Sequence, residues 1–183
     1  MEKKALPILA GLMIILLICS STFLCNQKQA EHEMRTTAEG IAGSSLYMIW
    51  INYNAILENE TDMLTIEHIN DIYVKLSVIE AYSATVGRLV NTQLLTPISI
   101  DMKAITESMQ ESYKENNIFT EEDQTKYATL ITEITALLPL ISKVFYVSES
   151  QEGAKVTLEV NNKETLLTFR DALKKHVSGL NNV

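Results

Sequence analysis

Histidine and acidic side chains are the groups in this sequence most able to bind a metal or transfer a proton. His32, His68 and His176 are far apart in the chain, and none has a second histidine or a carboxylate at metal-ligand spacing on one helix face. The three consecutive acids at 121–123 would point in different directions on a helix, which excludes a catalytic carboxylate pair. We therefore interpret the histidines as surface or capping residues, with the helix dipole explaining His176, and the acids as the first turn of a helix.

No other residue pattern indicates catalysis. The serines lie outside any nucleophile elbow, and there is no glycine-rich loop of the kind that binds phosphate. Both cysteines, Cys19 and Cys25, lie within an apolar segment, so the rest of the chain can form neither a disulfide framework nor a cysteine metal site. The sequence therefore predicts a protein that is not an enzyme and has no catalytic, cofactor-binding or metal-binding residues.

The apolar segment at 5–25, ALPILAGLMIILLICSSTFLC, decides in which compartment the rest of the chain lies. It carries no charge, and a helix of this length covers roughly the 30 Å hydrocarbon core of a bilayer. Lys3 and Lys4 precede it, and the positive-inside rule places such a flank in the cytoplasm. The sequence predicts a cytoplasmic stub at 1–4, a transmembrane signal-anchor at 5–25 and an extracytoplasmic domain at 26–183. The protein is then a single-pass protein of the cell membrane with its N-terminus in the cytoplasm.

Two alternatives to an uncleaved anchor remain open. Residues 12–18 form a good hydrophobic region of a signal peptide, and the small residues at 19–21 suit a signal peptidase, in which case the domain is secreted. The four residues ending at Cys19 also resemble a lipoprotein processing site, although Ile18 stands where a small residue belongs. The four residues ending at Cys25 match that pattern less well.

Net charge restricts the partners of the domain. The chain has 15 basic and 23 acidic side chains, and without Glu2, Lys3 and Lys4 there remain 13 basic and 22 acidic ones. Nucleic acids and anionic membrane surfaces attract clustered lysine and arginine, so the acidic domain is expected to bind neither. The excess of acid indicates a soluble surface.

Apolar residues recur at steps of three and four along most of the chain, which predicts four main helices. The first helix spans 31–58, and its apolar stripe is formed by Ala42, Leu46, Ile49, Tyr53 and Ile56. Trp50 and Leu57 widen this stripe. Core packing is also expected for the tyrosines and for Trp50. The second helix has a sustained heptad at Ile69, Ile72, Leu76, Ile79, Ser83, Val86 and Val90.

Turn and capping residues predict the boundaries of these helices. The polar run at 58–62 ends the first helix, and the second ends near Leu95, with Thr96 as N-cap and Pro97 as the first residue of the third. The third helix ends near Asn116, with an apolar side at Ile98, Met102, Ile105 and Met109. Thr120 begins the fourth helix, whose stripe is Tyr127, Ile131, Ile134, Leu138, Ile141 and Phe145. Pro139 is expected to kink or break it, and its apolar run is too short for a second membrane span.

Two further segments are expected around these helices. Residues 148–153 form a loop, and 155–160 alternate in polarity, which favours a small hairpin within 144–160 or, alternatively, a helical continuation. A short C-terminal helix follows a cap at 161–162, with Leu166, Phe169, Leu173 and Val177 on one face, and closes at Gly179. The small residues at 40–45 mark either a close approach of another helix or a hinge.

The predicted fold is all-α, with an N-terminal transmembrane helix followed by an up-and-down bundle of four main helices and a short C-terminal helix. This arrangement is similar to the helical sensor domains that follow the first membrane helix of bacterial chemoreceptors. Those receptors continue with a second membrane helix and a cytoplasmic output module, which this sequence lacks. Two functions fit: a tethered module that docks another envelope protein or itself through its long heptad, or a small-ligand sensor that acts through a separate membrane partner.

Overall fold

The computed structural model describes residues 5–146 and 156–180, with the side chains of Met13, 20–146 and 156–179. This part of the chain contains five helices and no β-strand, which confirms the all-α prediction and fits a helical bundle. The helices are α1 (Ala5–Glu58), α2 (Ile66–Leu89), α3 (Leu95–Asn116), α4 (Glu121–Phe145) and α5 (Lys163–Leu180).

The chain divides into two compact units, Met1–Ala38 and Glu39–Val183. In the first unit the side chains described from residue 20 to residue 37 are exposed, and Gln27 and Gln29 donate to the acids four residues later, Glu31 and Glu33. The second unit holds the hydrophobic core.

The predicted stripes form that core. All five stripe residues of α1 are at most 1% exposed, and six of the seven heptad residues of α2 are buried, Val90 being the half-buried C-cap. The four predicted residues of α3 are buried as well. In α4 the stripe is wider than predicted, because Leu130, Leu137 and Val144 are buried too, while Leu138 is only half-buried.

Helix α4 begins as predicted, at a capping box. The Thr120 hydroxyl accepts from the backbone N–H of Asp123 at 3.2 Å, and the Asp123 carboxylate accepts from the backbone N–H of Thr120 at 2.8 Å. Helix α2 begins after Thr65, whose hydroxyl accepts from the N–H of His68. Both caps satisfy backbone donors that have no acceptor within the helix.

The predicted boundary between α2 and α3 is wrong. Helix α2 ends at Leu89, the chain turns through Asn91 with φ of 52°, and α3 begins at Leu95. Asparagine tolerates this left-handed conformation, so the reversal needs no glycine. Thr96 and Pro97 are the second and third residues of α3, where proline costs little because an N–H in the first turn has no helical acceptor.

Pro139 does not break α4, which continues to Phe145. A proline in a helix interior costs ~3 kcal/mol because it removes one backbone hydrogen bond and crowds the preceding turn. On either side of it Leu137 and Ile141 are buried, and full burial of each such side chain contributes about 1.5–3 kcal/mol. The packed residues therefore outweigh the proline.

Among the residues whose side chains are described, α4 is also the one helix that is long and apolar enough to cross a membrane. A core helix of a soluble domain meets the same criterion. The window is 44% buried within the protein, and its buried residues belong to the hydrophobic core. We therefore treat α4 as a core helix of the bundle.

The predicted hairpin reduces to one isolated bridge between Tyr146 and Val156. Phe145 is already the end of α4, and beyond Val156 the Thr157 hydroxyl accepts from the N–H of Glu159, a turn that prevents an extended strand. The predicted loop at 148–153 lies outside the described residues. Val156 lies close to α1, since a Cβ on Gly43 would come within 3.3 Å of its Cγ2.

Helix α5 follows Asn162, which has φ of 53° and accepts from the N–H of Thr165. Leu166 and Leu173 are buried on its predicted face, with Phe169 and Val177 partly buried against the core. Gly179 does not end the helix, which reaches Leu180.

Candidate protein interface on helix α1

The heptad of α2, which we expected to be the docking surface, faces the core. Leu76 and Ile79, at its centre, have no exposed surface. A partner cannot reach these side chains without unfolding the domain. A docking surface must therefore be sought among exposed side chains.

Helix α1 carries such a surface opposite its buried stripe. From residue 40 to residue 57 the chain has no charged side chain for 18 residues. The outer face of this segment is formed by five residues at alternating steps of four and three: Gly40, Ser44, Tyr47, Ile51 and Asn54. At its edges lie Ile41, Met48 and Trp50. A surface helix usually places charged residues on the side opposite the core. The outer face of α1 does not.

Exposed aromatic residues dominate this outer face. Tyr47 is 53% exposed, Trp50 is 38% exposed and Ile41 is 47% exposed. The rings of Tyr47 and Trp50 stack, with centroids 6.3 Å apart and planes 14° apart. The core packing expected for the tyrosines and for Trp50 is therefore wrong for Tyr47 and Trp50, because both side chains are exposed. Tyrosine and tryptophan are the residues most enriched in the energetically important parts of protein interfaces.

The polar residues of the segment direct their donors to their own helix. Ser44 donates to the carbonyl of Gly40 at 3.0 Å, Asn52 to Met48 at 2.8 Å and Asn54 to Trp50 at 3.0 Å. Side chains that bond to the carbonyl four residues earlier need fewer hydrogen bonds from water. The outer face can thus lose water at a lower cost than its composition suggests.

The other helices of the bundle differ from the segment at 40–57 in carrying charged side chains. Ion pairs join Lys75 to Asp71, Lys103 to Glu80 and Lys126 to Glu122 on or between α2, α3 and α4. Large exposed apolar side chains on these helices, such as Val74 and Ile100, lie in segments that also carry charged residues. Single exposed apolar residues are normal on soluble proteins, whereas contiguous ones mark interaction sites.

His68 makes a contact that the sequence did not predict. Its Nε2 lies 3.2 Å from the Tyr127 hydroxyl, which accepts from the backbone N–H of Thr61 at 3.2 Å. The hydroxyl proton is then free to point at an unprotonated Nε2, so the arrangement suits neutral histidine. Burial lowers the pKa of His68, while Asp71 raises it and Lys75 lowers it. The imidazole of His68 thus links α2 to Tyr127 on α4 and, through the Tyr127 hydroxyl, to Thr61 in the loop that precedes α2.

His176 is also paired, and not only placed at a helix end. Its Nδ1 lies 2.6 Å from Oε1 of Glu133 on α4, a residue that is nearly buried. His32, in contrast, is exposed on α1. Within residues 5–146 and 156–180 there is no group of three or more histidine, cysteine, aspartate or glutamate side chains that could hold a metal ion.

The acids at 121–123 form the first turn of α4, as expected. Asp123 is fully buried, and one carboxylate oxygen accepts from the hydroxyls of Ser112 and Thr120, both at 2.8 Å. Ser112 belongs to α3, so this carboxylate ties the start of α4 to α3. Its role is structural.

A groove lies between the first turns of α2 and the last turns of α3. Its volume is about 470 Å³, and Gln110 Nε2 donates to Asn70 Oδ1 at 2.7 Å beside it. The groove is open to solvent, and its remaining lining residues are Ile66, Tyr113, Lys114 and Asn117. It offers amide groups and one ammonium group to a small polar molecule.

Comparisons with known proteins give no further assignment for either surface. No protein-family model matches this chain, and neither a curated protein nor a solved structure is similar to it.

Proposed function

We propose that this protein is a membrane-tethered extracytoplasmic interaction module that docks a protein partner on the outer face of α1. In this proposal residues 5–25 form an N-terminal transmembrane helix, and an up-and-down bundle of four main helices with a short C-terminal helix lies outside the cytoplasm. The observation that carries the proposal is the uncharged segment at 40–57, which exposes Tyr47 and Trp50 outside its buried stripe.

The energetics favour a docked partner. Tyrosine and tryptophan side chains bury about 150–250 Å² each when fully covered, and apolar area contributes roughly 25 cal/mol per Å². Covering the exposed parts of Tyr47, Trp50 and Ile41 would therefore contribute several kcal/mol before the costs of association are subtracted. A monomer would gain nothing from exposing them.

Substitution of Tyr47 tests the docking surface. Tyr47→Glu places a charge in the middle of the outer face, whereas Val74→Glu places one at a side chain of similar exposure on α2. In mildly solubilised membranes the full chain should migrate in a complex larger than itself, which Tyr47→Glu disrupts and Val74→Glu preserves. Equal behaviour of both variants, with unchanged melting temperatures, would contradict the proposal.

A reporter fused to the C-terminus tests the topology. Because Lys3 and Lys4 precede the apolar segment, the C-terminus is expected to lie outside the cytoplasm. A C-terminal reporter that works only outside the cytoplasm should therefore be active. Activity of a reporter that works only inside the cell would contradict the proposed orientation. Sequencing the mature N-terminus separates an anchored chain from a secreted one.

The groove supports a second candidate function, a small-ligand sensor that acts through a membrane partner. Lys114 with the amides of Asn70, Gln110 and Asn117 suits a small carboxylate. Titration with acetate or succinate should then raise the melting temperature of the full chain, and Lys114→Met should remove the effect. An unchanged melting temperature at millimolar concentrations of both would argue against this candidate.

A further inference from the structure

We infer that the partner on the outer face of α1 is a second copy of this chain, paired in parallel through α1. This inference rests on the proposed function, since it needs the anchor and the docking surface. It names the occupant of that surface and the register of the contact.

The spacing of the outer face suits a helix partner. Gly40, Ser44, Tyr47, Ile51 and Asn54 step by four, three, four and three, the repeat by which two helices pack along a common line. Gly40 has no atom within 4 Å of an added Cβ, so this end of the face is open to a close neighbour. Larger side chains follow at Tyr47 and Ile51. Such a line fits a straight helix better than a loop or a sheet edge.

Charge distinguishes a second copy from other partners. In a two-fold contact between parallel helices each residue lies near its own counterpart, so a charged residue would face the same charge. The chain carries a net charge of −8, yet residues 40–57 carry none, and the first acids on either side are Glu39 and Glu58. An acidic protein that pairs with itself needs a segment of this kind. A basic partner would instead favour acids on the docking surface.

The area of the contact explains why an anchor is needed. A helix of 18 residues is ~27 Å long and ~10 Å wide, so pairing it would bury roughly 300 Å² per copy. Standard-size complexes bury about 800 Å² per partner. Free in solution the pair is therefore weak, whereas two copies held in one membrane reach effective concentrations of about millimolar. In the proposed topology every copy is anchored by the same end of the chain, which favours parallel pairing over antiparallel pairing.

Disulfide crosslinking in membranes tests the inference. In the full chain with Cys19→Ala and Cys25→Ala, Ser44→Cys and Ile51→Cys should each give a covalent dimer at least fivefold more efficiently than Ser142→Cys. Ser142 is the matched control, because it is an exposed serine on α4. Co-purification of two differently tagged copies of the otherwise unaltered chain provides a second measurement that needs no substitution.

Each other outcome contradicts a specific part of the inference. Crosslinks that form only when Ser44→Cys and Ile51→Cys chains are mixed would show antiparallel pairing. Equal crosslinking at Ser142→Cys would show random collision. An adduct of another mass would overturn the inference and leave the proposed function standing. If only monomers form and the two tagged copies do not co-purify, the inference of a second copy is overturned. The proposed function fails as well only if Tyr47→Glu leaves every membrane complex of the chain unchanged.

Discussion

Replacement of Leu76 by aspartate tests whether the heptad of α2 is the core of the domain. Leu76 has no exposed surface and lies in the middle of the stripe. The substitution loses about 1.5–3 kcal/mol of apolar burial and adds a buried carboxylate without a partner, which costs several kcal/mol more. The free energy of unfolding of a whole domain is only ~5–15 kcal/mol. We therefore expect Leu76→Asp to abolish cooperative unfolding.

The assay is thermal unfolding of the full chain in detergent, followed by far-ultraviolet circular dichroism and by the fluorescence of Trp50, the one tryptophan. Leu76→Ala should lower the free energy of unfolding by about 2–5 kcal/mol. Val74→Asp, at a side chain that is 59% exposed, should change it by about 0.5 kcal/mol or less. A Leu76→Asp variant that melts at the same temperature as the unaltered chain would refute the closed-bundle structure.

Three further predictions concern pH, capping and glycine. The pKa of His68 is lower in the folded chain than in the unfolded chain, so the unfolded chain binds the proton more readily. The free energy of unfolding should therefore fall as the pH drops below about 6.5. In thermal melts at pH 7.5 and 5.5, His68→Gln should weaken this dependence on pH. An unchanged pH dependence would contradict the neutral state. Asp123→Ala should cost about 2 kcal/mol or more in denaturant unfolding, against about 0.5 kcal/mol for the exposed Glu121→Ala; equal losses would refute the capping role. Gly40→Ala should stabilise the helix by about 0.5–1 kcal/mol. Gly43→Ala should stabilise it by less, because an added Cβ at Gly43 meets the Val156 side chain whereas one at Gly40 meets no atom within 4 Å. A higher melting temperature for Gly43→Ala than for Gly40→Ala would refute the packing at Gly43.

The sequence predicted the core well, because spacing along a helix is a local property. Residues that recur at three and four positions must share one face, and Leu46, Ile72 and Met102 are buried as that rule requires. The capping box at Thr120 was predictable for the same reason, since all of its members lie within four residues. The helical bundle follows from these local patterns.

Boundaries that depend on competing effects were predicted less well. Thr96 and Pro97 carry a strong helix-start signal, but Leu94 and Leu95 are both buried, and the helix begins two residues earlier, at Leu95. Pro139 carries a break signal that the packing of its neighbours outweighs. Alternation after residue 154 resembled a strand, yet only Val156 pairs.

Contacts between helices could not be predicted at all. Glu133 and His176 are 43 residues apart and meet only because α5 packs against α4. The outer face of α1 did leave a signal, the absence of charge from residue 40 to residue 57, which shows that the side opposite the stripe is uncharged. Attention to apolar residues alone assigned Trp50 to the core.

The central claim is that the outer face of α1 is a covered surface outside the cytoplasm. Labelling of cysteine variants by a membrane-impermeant maleimide on intact cells tests both parts, with Cys19 and Cys25 replaced by alanine. We predict that, under reducing conditions, Ser44→Cys reacts slowly on cells and rapidly after dilution in detergent, whereas Ser142→Cys reacts rapidly in both conditions. No reaction of Ser142→Cys on intact cells would contradict the topology, and equally rapid reaction of Ser44→Cys in both conditions would contradict the covered surface.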